Sequence, residues 1–203
     1  KDSCLTMYKD PIVWSGENRQ LLGEEIRVYM RDSTIDWAHV VGQALSVEQL
    51  PDKKHFNQIA SKEMKSFFID GKMKKNEAIS NVMTIYYPVD DKDSTLIGLN
   101  YAESDTMRMY LDNNQRLEKI WMPKANLVMY PMTQIPPGRD KLNNFAWFDY
   151  IRPVDKNDIY EWRGKKSGTE LKVVKRHEAP LQKLGINAPL SSEGQKRQKG
   201  AEP

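Results

Sequence analysis

Side chains that commonly carry enzyme chemistry are few in this chain and lie far apart. The three histidines, His39, His55 and His177, have no spacing to one another or to Cys4 that is typical of a metal site. The chain also has no Gly-rich phosphate loop and no Gly-x-Ser-x-Gly motif. We therefore predict that the protein is not an enzyme and that it uses no metal and no cofactor.

An acidic run at residues 90–93 is the next candidate, because carboxylates bind cations. The run lies between Pro88 and Ser94, where a hairpin turn is expected, and a Ca²⁺ loop needs a fixed set of oxygen ligands. A solvated turn is the favoured interpretation. Carboxylate pairs elsewhere do not indicate glycoside hydrolysis, since a chain with 28 acidic residues offers many pairs by chance.

Methionine is the residue type that remains, and it falls on strand-like positions. Its side chain is flexible and polarisable, so a surface lined with methionine can repack around varied partners. Methionines that simply fill a dry interior are the more ordinary interpretation. Both interpretations hold if the interior is open along one seam. The residues concerned are Met30, Met64, Met73, Met83, Met107, Met109, Met122 and Met129.

The elements that would position these residues occur three times along the chain. The copies start at Gln20, Gln58 and Tyr101. Each has a bulky apolar residue six positions after its start, an aromatic residue nine after and Asp or Asn twelve after. Such a period indicates one supersecondary unit stacked on copies of itself. A unit this small cannot bury its own apolar face, so the copies must share one.

Each copy has the pattern of a β-hairpin. In the first copy, the apolar residues Ile26, Val28 and Met30 alternate with polar ones, which predicts a strand with one dry and one wet face. Turn signals follow the strands, and a return strand follows each turn. We predict an all-β fold of antiparallel hairpins wound into an elongated sandwich, roll or solenoid. The turns are expected at Asp32-Ser33, Asp70-Gly71 and Asn113-Asn114.

Composition and charge divide the chain into three parts. Its 203 residues, 39% of them apolar, suit one extended domain with a tail. We predict a β-repeat domain over residues 1–130, an aromatic and Pro-rich end cap over 131–163, and a basic tail over 164–203 with too little apolar content to order alone. No run approaches the ~18 apolar residues of a membrane span. The aromatic residues are not interleaved with a basic stripe, so no nucleic-acid partner is expected.

With the repeat identified, the chain resembles the OstA-like family of periplasmic lipopolysaccharide-transport proteins related to LptA. The match covers roughly residues 3–163 and looks most like the larger OstA-like variants. A half-copy opens the chain, which predicts a fragment of something longer. The residues that carry the resemblance are Leu5 to Trp14, the repeated Gln-Leu/Ile-x-Gly/Ala unit with its Asp turn, Val40 to Ala44, Ser94 to Glu103, Phe145 to Trp147, and Arg152-Pro153.

This resemblance implies a semi-open β-jellyroll, or folded-over sheet, whose apolar interior holds the acyl chains of lipopolysaccharide or lipid A. It also implies a periplasmic or outer-membrane-associated location, and stacking with other OstA- or LptA-fold proteins of the transport bridge through exposed edge strands. By the alternation within the strands, we predict the lining of the lipid groove to be Ile26, Val28, Met30, Met64, Phe68, Met83, Ile85, Met107, Met109, Leu111, Leu127 and Met129.

Two other functions stay open from the sequence. The first is a structural β-repeat scaffold that binds protein partners through its edge strands and has a dry, closed interior. The second is a carbohydrate-active β-repeat enzyme, which is disfavoured because no catalytic site is visible. A bound lipid would separate the leading hypothesis from the scaffold.

Overall fold

The computed structural model describes residues 3–90, 92–155 and 157–158. The predicted basic tail and the last residues of the predicted end cap lie outside the described residues. Within the described ranges, no helix is long and apolar enough to cross a membrane.

The described chain contains ten strands and two short 3-10 helices. The strands are β1 (Ser3–Tyr8), β2 (Ile12–Ser15), β3 (Arg19–Leu22), β4 (Glu25–Arg31), β5 (Thr34–Gln49), β6 (Phe56–Ile69), β7 (Lys72–Tyr86), β8 (Gly98–Leu111), β9 (Leu117–Trp121) and β10 (Asn126–Pro131). The 3-10 helices are Met132–Gln134 and Asp149–Ile151.

All ten strands belong to one sheet, and every pairing between them is antiparallel. The strand order is β1-β4-β5-β6-β7-β8-β10, with β2-β3 joined to β5 and β9 joined to β8. In the described chain the sheet does not close, since β1 and β2 form one edge and β9 and β10 form the other. The predicted all-β fold, a semi-open and folded-over antiparallel sheet, is confirmed.

Hairpin turns close one end of the sheet. Asp32 and Ser33 have φ of 48° and 67°, and Asp70 and Gly71 have φ of 51° and 72°. Positive φ at both central residues is the type I′ geometry that fits the twist of a two-residue hairpin. These two turns lie where the sequence predicted them. The third is longer, because the 112–116 loop closes through a hydrogen bond from the Asp112 N–H to the Arg116 carbonyl.

A line of irregular residues crosses the long strands near their middle and divides the sheet. The pairing register shifts between Val41 and Ala44 and again between Ile79 and Val82. In β5 the break holds Gly42 and Gln43, both at positive φ. Bulges of this kind bend the bulged strand and increase its local twist. We call residues 3–8, 25–41, 63–79 and 106–121 the turn half, and residues 12–22, 44–60, 82–103 and 126–131 the strap half.

The fourth residue of each copy lies at this bend. These residues are Gly23, Ser61 and Ser104, and all three are buried. The Ser61 hydroxyl donates to the Glu63 carbonyl at 2.7 Å, and the Ser104 hydroxyl reaches the Thr106 carbonyl at 3.1 Å. A Cβ at Gly23 would collide with the side chain of Val40. Small residues therefore fit the bend, and the two serines satisfy backbone carbonyls there.

After β10 the chain turns back and crosses the strap half. We call residues 132–151 the strap. Its buried apolar side chains, Leu142 and Phe148, join one cluster with Leu22, Leu45 and Ile85 of the sheet. The sequence placed this segment at an open end of the roll, whereas it lies on a face of the sheet. It is part of the main core of the described chain.

Candidate functional site

The repeat places its apolar signature residues side by side across the turn half. Ile26, Met64 and Met107 occupy the seventh position of the three copies. The return strands supply Val40, paired with both Ile26 and Met64, and Ala78, paired with both Met64 and Met107. All five residues are buried. They form a continuous apolar row across five strands, and we call this side of the sheet the inner face.

A second row on the inner face lies one step closer to the hairpin turns. It runs from Val28 through Ala38, Ser66 and Asn76 to Met109. None of these side chains is ionisable, and the only polar members are the buried pair Ser66 and Asn76. An acyl chain laid along either row would meet hydrocarbon over most of its length.

The strap half contributes a smaller set of apolar side chains to the same interior. Val13, Leu21 and Ile59 pack against the cluster formed by Ile26, Val40, Ala44 and Met64. Because these contacts join residues from the two sides of the bend, the sheet folds toward the inner face.

Further from the bend, the inner face of the strap half is mixed. Ile59 pairs with Ser46 on one side and with Thr84 on the other, and Thr84 pairs with Ala102. The predicted lining included neither Ser46 nor Thr84. The inner face of the strap half is thus less apolar than that of the turn half.

The structure brings most of the predicted lining to the inner face, but not Met83 and Ile85. Both belong to the cluster that packs beneath the strap, on the opposite side of the strap half. The physical reason is that Val82, Met83, Thr84 and Ile85 are all buried. Because this strand is covered on both faces, burial does not alternate along it, and alternation then does not identify the inner-face residues.

Two predicted residues lie at the open edge of the sheet. Leu127 and Met129 of β10 pair with Ala102 and Asn100, and their exposed fractions are 60% and 49%. Three others, Met30, Phe68 and Leu111, occupy the last inner-face positions before the hairpin turns.

The opposite face of the turn half carries aromatic and charged side chains. Tyr29 stacks on Trp37 with ring centroids 4.0 Å apart, and Trp37 lies 6.3 Å from Phe67. The Lys75 ammonium lies 4.1 Å from the centre of the Phe67 ring. The repeated aromatic residue therefore belongs to a cross-strand ladder on the wet face, which stabilises neighbouring strands by side-chain pairing.

Two buried glutamines hold the strap, and sequence reasoning missed this role. Gln58 donates from Nε2 to the Asp140 carbonyl and accepts from the Leu142 N–H, both at 2.9 Å. Gln20 donates from Nε2 to the Ala146 carbonyl at 2.9 Å and accepts from the Phe148 N–H at 2.8 Å.

These glutamines are the first residues of the first two copies. In the third copy the same position is Tyr101, whose ring lies 5.6 Å from the Arg139 guanidinium of the strap. Each copy therefore contacts the strap through its first residue. The repeated Gln was the available signal in the sequence.

Groups with shifted pKa values lie away from the inner face. Burial, with the nearby carboxylates of Asp140 and Asp52, raises the pKa of Tyr87 to about 12. Burial opposes the charged form of Asp52, but hydrogen bonds from the His55 ring and from the His55 and Lys54 N–H groups outweigh it and lower the pKa to about 2. Within the described ranges, no group of three His, Cys, Asp or Glu side chains could hold a metal ion.

Comparisons with known proteins find a distant likeness to a solved structure. No family model matches the chain, and no curated protein sequence matches it. A crystal structure of LptH, described as the LptA-homologous periplasmic component of the lipopolysaccharide transport device from Pseudomonas aeruginosa, is similar with a TM-score of 0.44 and 14% sequence identity. The likeness covers 63% of this chain and 85% of that one.

Proposed function

We propose that this chain binds lipid acyl chains against its inner face and shields them from water. The observation that carries the proposal is the pair of inner-face rows in the turn half, which span five strands and contain no ionisable side chain. A row of this length without a charge is suited to hydrocarbon.

Moving acyl chains through water costs enough free energy to require a protein that shields them. Exposing hydrocarbon to water costs about 0.8 kcal/mol per CH₂, so a ~12-carbon chain costs roughly 10 kcal/mol. A lipid with several such chains will not cross an aqueous gap unaided on a useful timescale. Binding to apolar side chains offsets much of this cost without any chemical reaction.

The lipid is lipopolysaccharide in this proposal, and the setting is the periplasm during its transport to, and assembly in, the outer membrane. This part of the proposal rests on the sequence resemblance to the OstA-like family. The proposed lining is the predicted set without Met83 and Ile85, because those two residues lie beneath the strap.

Neighbouring residues on β8 provide the test. Met109 lies on the inner face, paired with Asn76, whereas Tyr110 points to the opposite face and pairs with Lys75. A photoreactive amino acid at position 109 should crosslink added lipopolysaccharide, and the same group at position 110 should not. Met109→Arg should abolish crosslinking from a second inner-face site at Val28, while Tyr110→Arg leaves it intact.

Circular dichroism and thermal unfolding would establish that the two arginine variants are folded. Normal lipid capture by a folded Met109→Arg protein would refute the assignment of the inner face. Equal crosslinking from positions 109 and 110 would do the same.

A scaffold without a lipid ligand is the second candidate, and the edge strands favour it. The consecutive residues Leu127, Val128 and Met129 of β10 are each more than a third exposed. An exposed apolar edge strand is a template for pairing with a strand of another protein. In this case Val128→Lys would reduce self-association in analytical ultracentrifugation, Met109→Arg would have no effect, and the wild-type protein would carry no lipid.

A further inference from the structure

One polar group stands out within the inner-face rows. The Asn76 side chain is 5% exposed, and its Oδ1 has no hydrogen-bond partner in the described part of the chain. Its Nδ2 donates to the Ser66 hydroxyl at 2.9 Å. Buried polar groups are nearly always hydrogen-bonded, because an unpaired one costs about 1–3 kcal/mol.

Apart from Ser66, the neighbours of Asn76 in the two inner-face rows are apolar. On its own strand it is followed on the inner face by Ala78, and across the sheet it pairs with Met109 and Ser66. Ser66 pairs in turn with Ala38. Asn76 and its partner Ser66 are therefore the polar pair of the two inner-face rows, and the Asn76 amide keeps one atom unpaired among the described residues.

We propose that Asn76 recognises a hydroxyl group carried by a bound acyl chain, an inference that rests on the proposed function. The ligand must be mostly hydrocarbon, because of the rows on either side of Asn76. It must also carry one small polar group that can meet an amide. A hydroxyl both donates and accepts a hydrogen bond, so it satisfies the amide whichever of its two atoms faces the ligand.

The flanking side chains allow a ligand to reach this amide. Met109 is the cross-strand neighbour of Asn76, and Met64 and Met107 lie in the adjacent row. Methionine has three rotatable bonds and adapts its shape to what it packs against. Movement of these thioethers opens space for an acyl chain without a change in the backbone pairing.

The test compares fatty acids that differ only in a hydroxyl. Octadecanoic acid and its 3-hydroxy and 12-hydroxy derivatives would each compete, below their micelle concentrations, with a fluorescent fatty acid bound to the purified protein. We expect at least one hydroxylated chain to bind roughly threefold to tenfold more tightly than the parent, as one net hydrogen bond provides. Asn76→Leu should remove this preference and bind the parent chain at least as tightly as wild type does.

Two further variants keep the test specific to Asn76. Asn144 is also buried, and its Oδ1 has no partner among the described residues, but it lies in the strap, so Asn144→Leu should keep the preference. Asn76→Val also removes the amide, with a smaller side chain that suits a strand, and should lose the preference, which provides a second readout if Asn76→Leu does not fold.

The outcomes separate this inference from the proposed function. If the parent chain binds wild type as tightly as both hydroxylated chains do, the role of Asn76 is overturned while lipid binding stands. If the fluorescent fatty acid does not bind and none of the competing fatty acids binds either, the proposed function is overturned. A preference that Asn76→Leu leaves unchanged also overturns the role of Asn76.

Discussion

Truncating Gln58 to alanine should release the strap locally. Gln58 is 1% exposed, and the change leaves the Leu142 N–H and the Asp140 carbonyl without their partner. The Leu142 N–H is buried and costs about 1–3 kcal/mol when unpaired, and the Asp140 carbonyl is only part-buried and costs about 1 kcal/mol, so the docking of the strap should weaken by about 2–4 kcal/mol. Every 1.4 kcal/mol is a factor of ten, so exchange of the Leu142 amide hydrogen should accelerate by about 30- to 700-fold.

Hydrogen exchange measured by NMR, together with urea unfolding, would follow this change. Gln49 provides the matched control, because it is only partly buried and its side chain makes one 3.3 Å hydrogen bond to the Lys53 carbonyl. Gln49→Ala should alter the free energy of unfolding by less than about 0.5 kcal/mol. Unchanged exchange at Leu142 in Gln58→Ala, or equal acceleration in both variants, would refute the role of Gln58 in holding the strap.

Two further predictions concern the bend at Gly42 and the loss of stability at acid pH. Gly42 and Gly71 both have positive φ, where replacement by alanine costs about 1–2 kcal/mol of stability. A Cβ at Gly42 would also strike the Glu24 side chain, whereas a Cβ at Gly71 meets nothing within 4 Å. Urea unfolding should therefore show a larger loss for Gly42→Ala than for Gly71→Ala, and equal losses would contradict the tight bend. The pKa of Asp52 is about 2 in the folded protein, below its unfolded value of about 3.9. The contribution of Asp52 to the free energy of unfolding is therefore present above about pH 4 and is lost as the pH falls from about 4 to 2. An NMR titration should show this value rising in His55→Ala, and an unchanged value would disprove the role of His55.

The hairpins were predictable because their signals are local. Asp70-Gly71 permits the positive φ that a two-residue turn requires, and alternation around Ile26 and Val28 marks one covered face. The repeated seventh residue likewise indicated a shared apolar row. Such features depend on neighbours within a few positions along the chain.

The strap could not be predicted in the same way. Its contacts join Gln20 to Phe148 and Gln58 to Leu142, and nothing local in the sequence specifies such distant partners. Because the strap covers the second face of the strap half, the strand around Met83 and Ile85 is buried on both sides. Alternation of apolar residues therefore identified the inner face in the turn half but not in the strap half.

The most direct measurement is native mass spectrometry of the protein purified without detergent from cells that make lipopolysaccharide. Binding at the inner face predicts a bound species with the mass of lipopolysaccharide or its lipid A part, retained by Tyr110→Arg and lost from a folded Met109→Arg protein. A wild-type protein that appears only without lipid, or a lipid adduct that Met109→Arg retains, would contradict the proposed function.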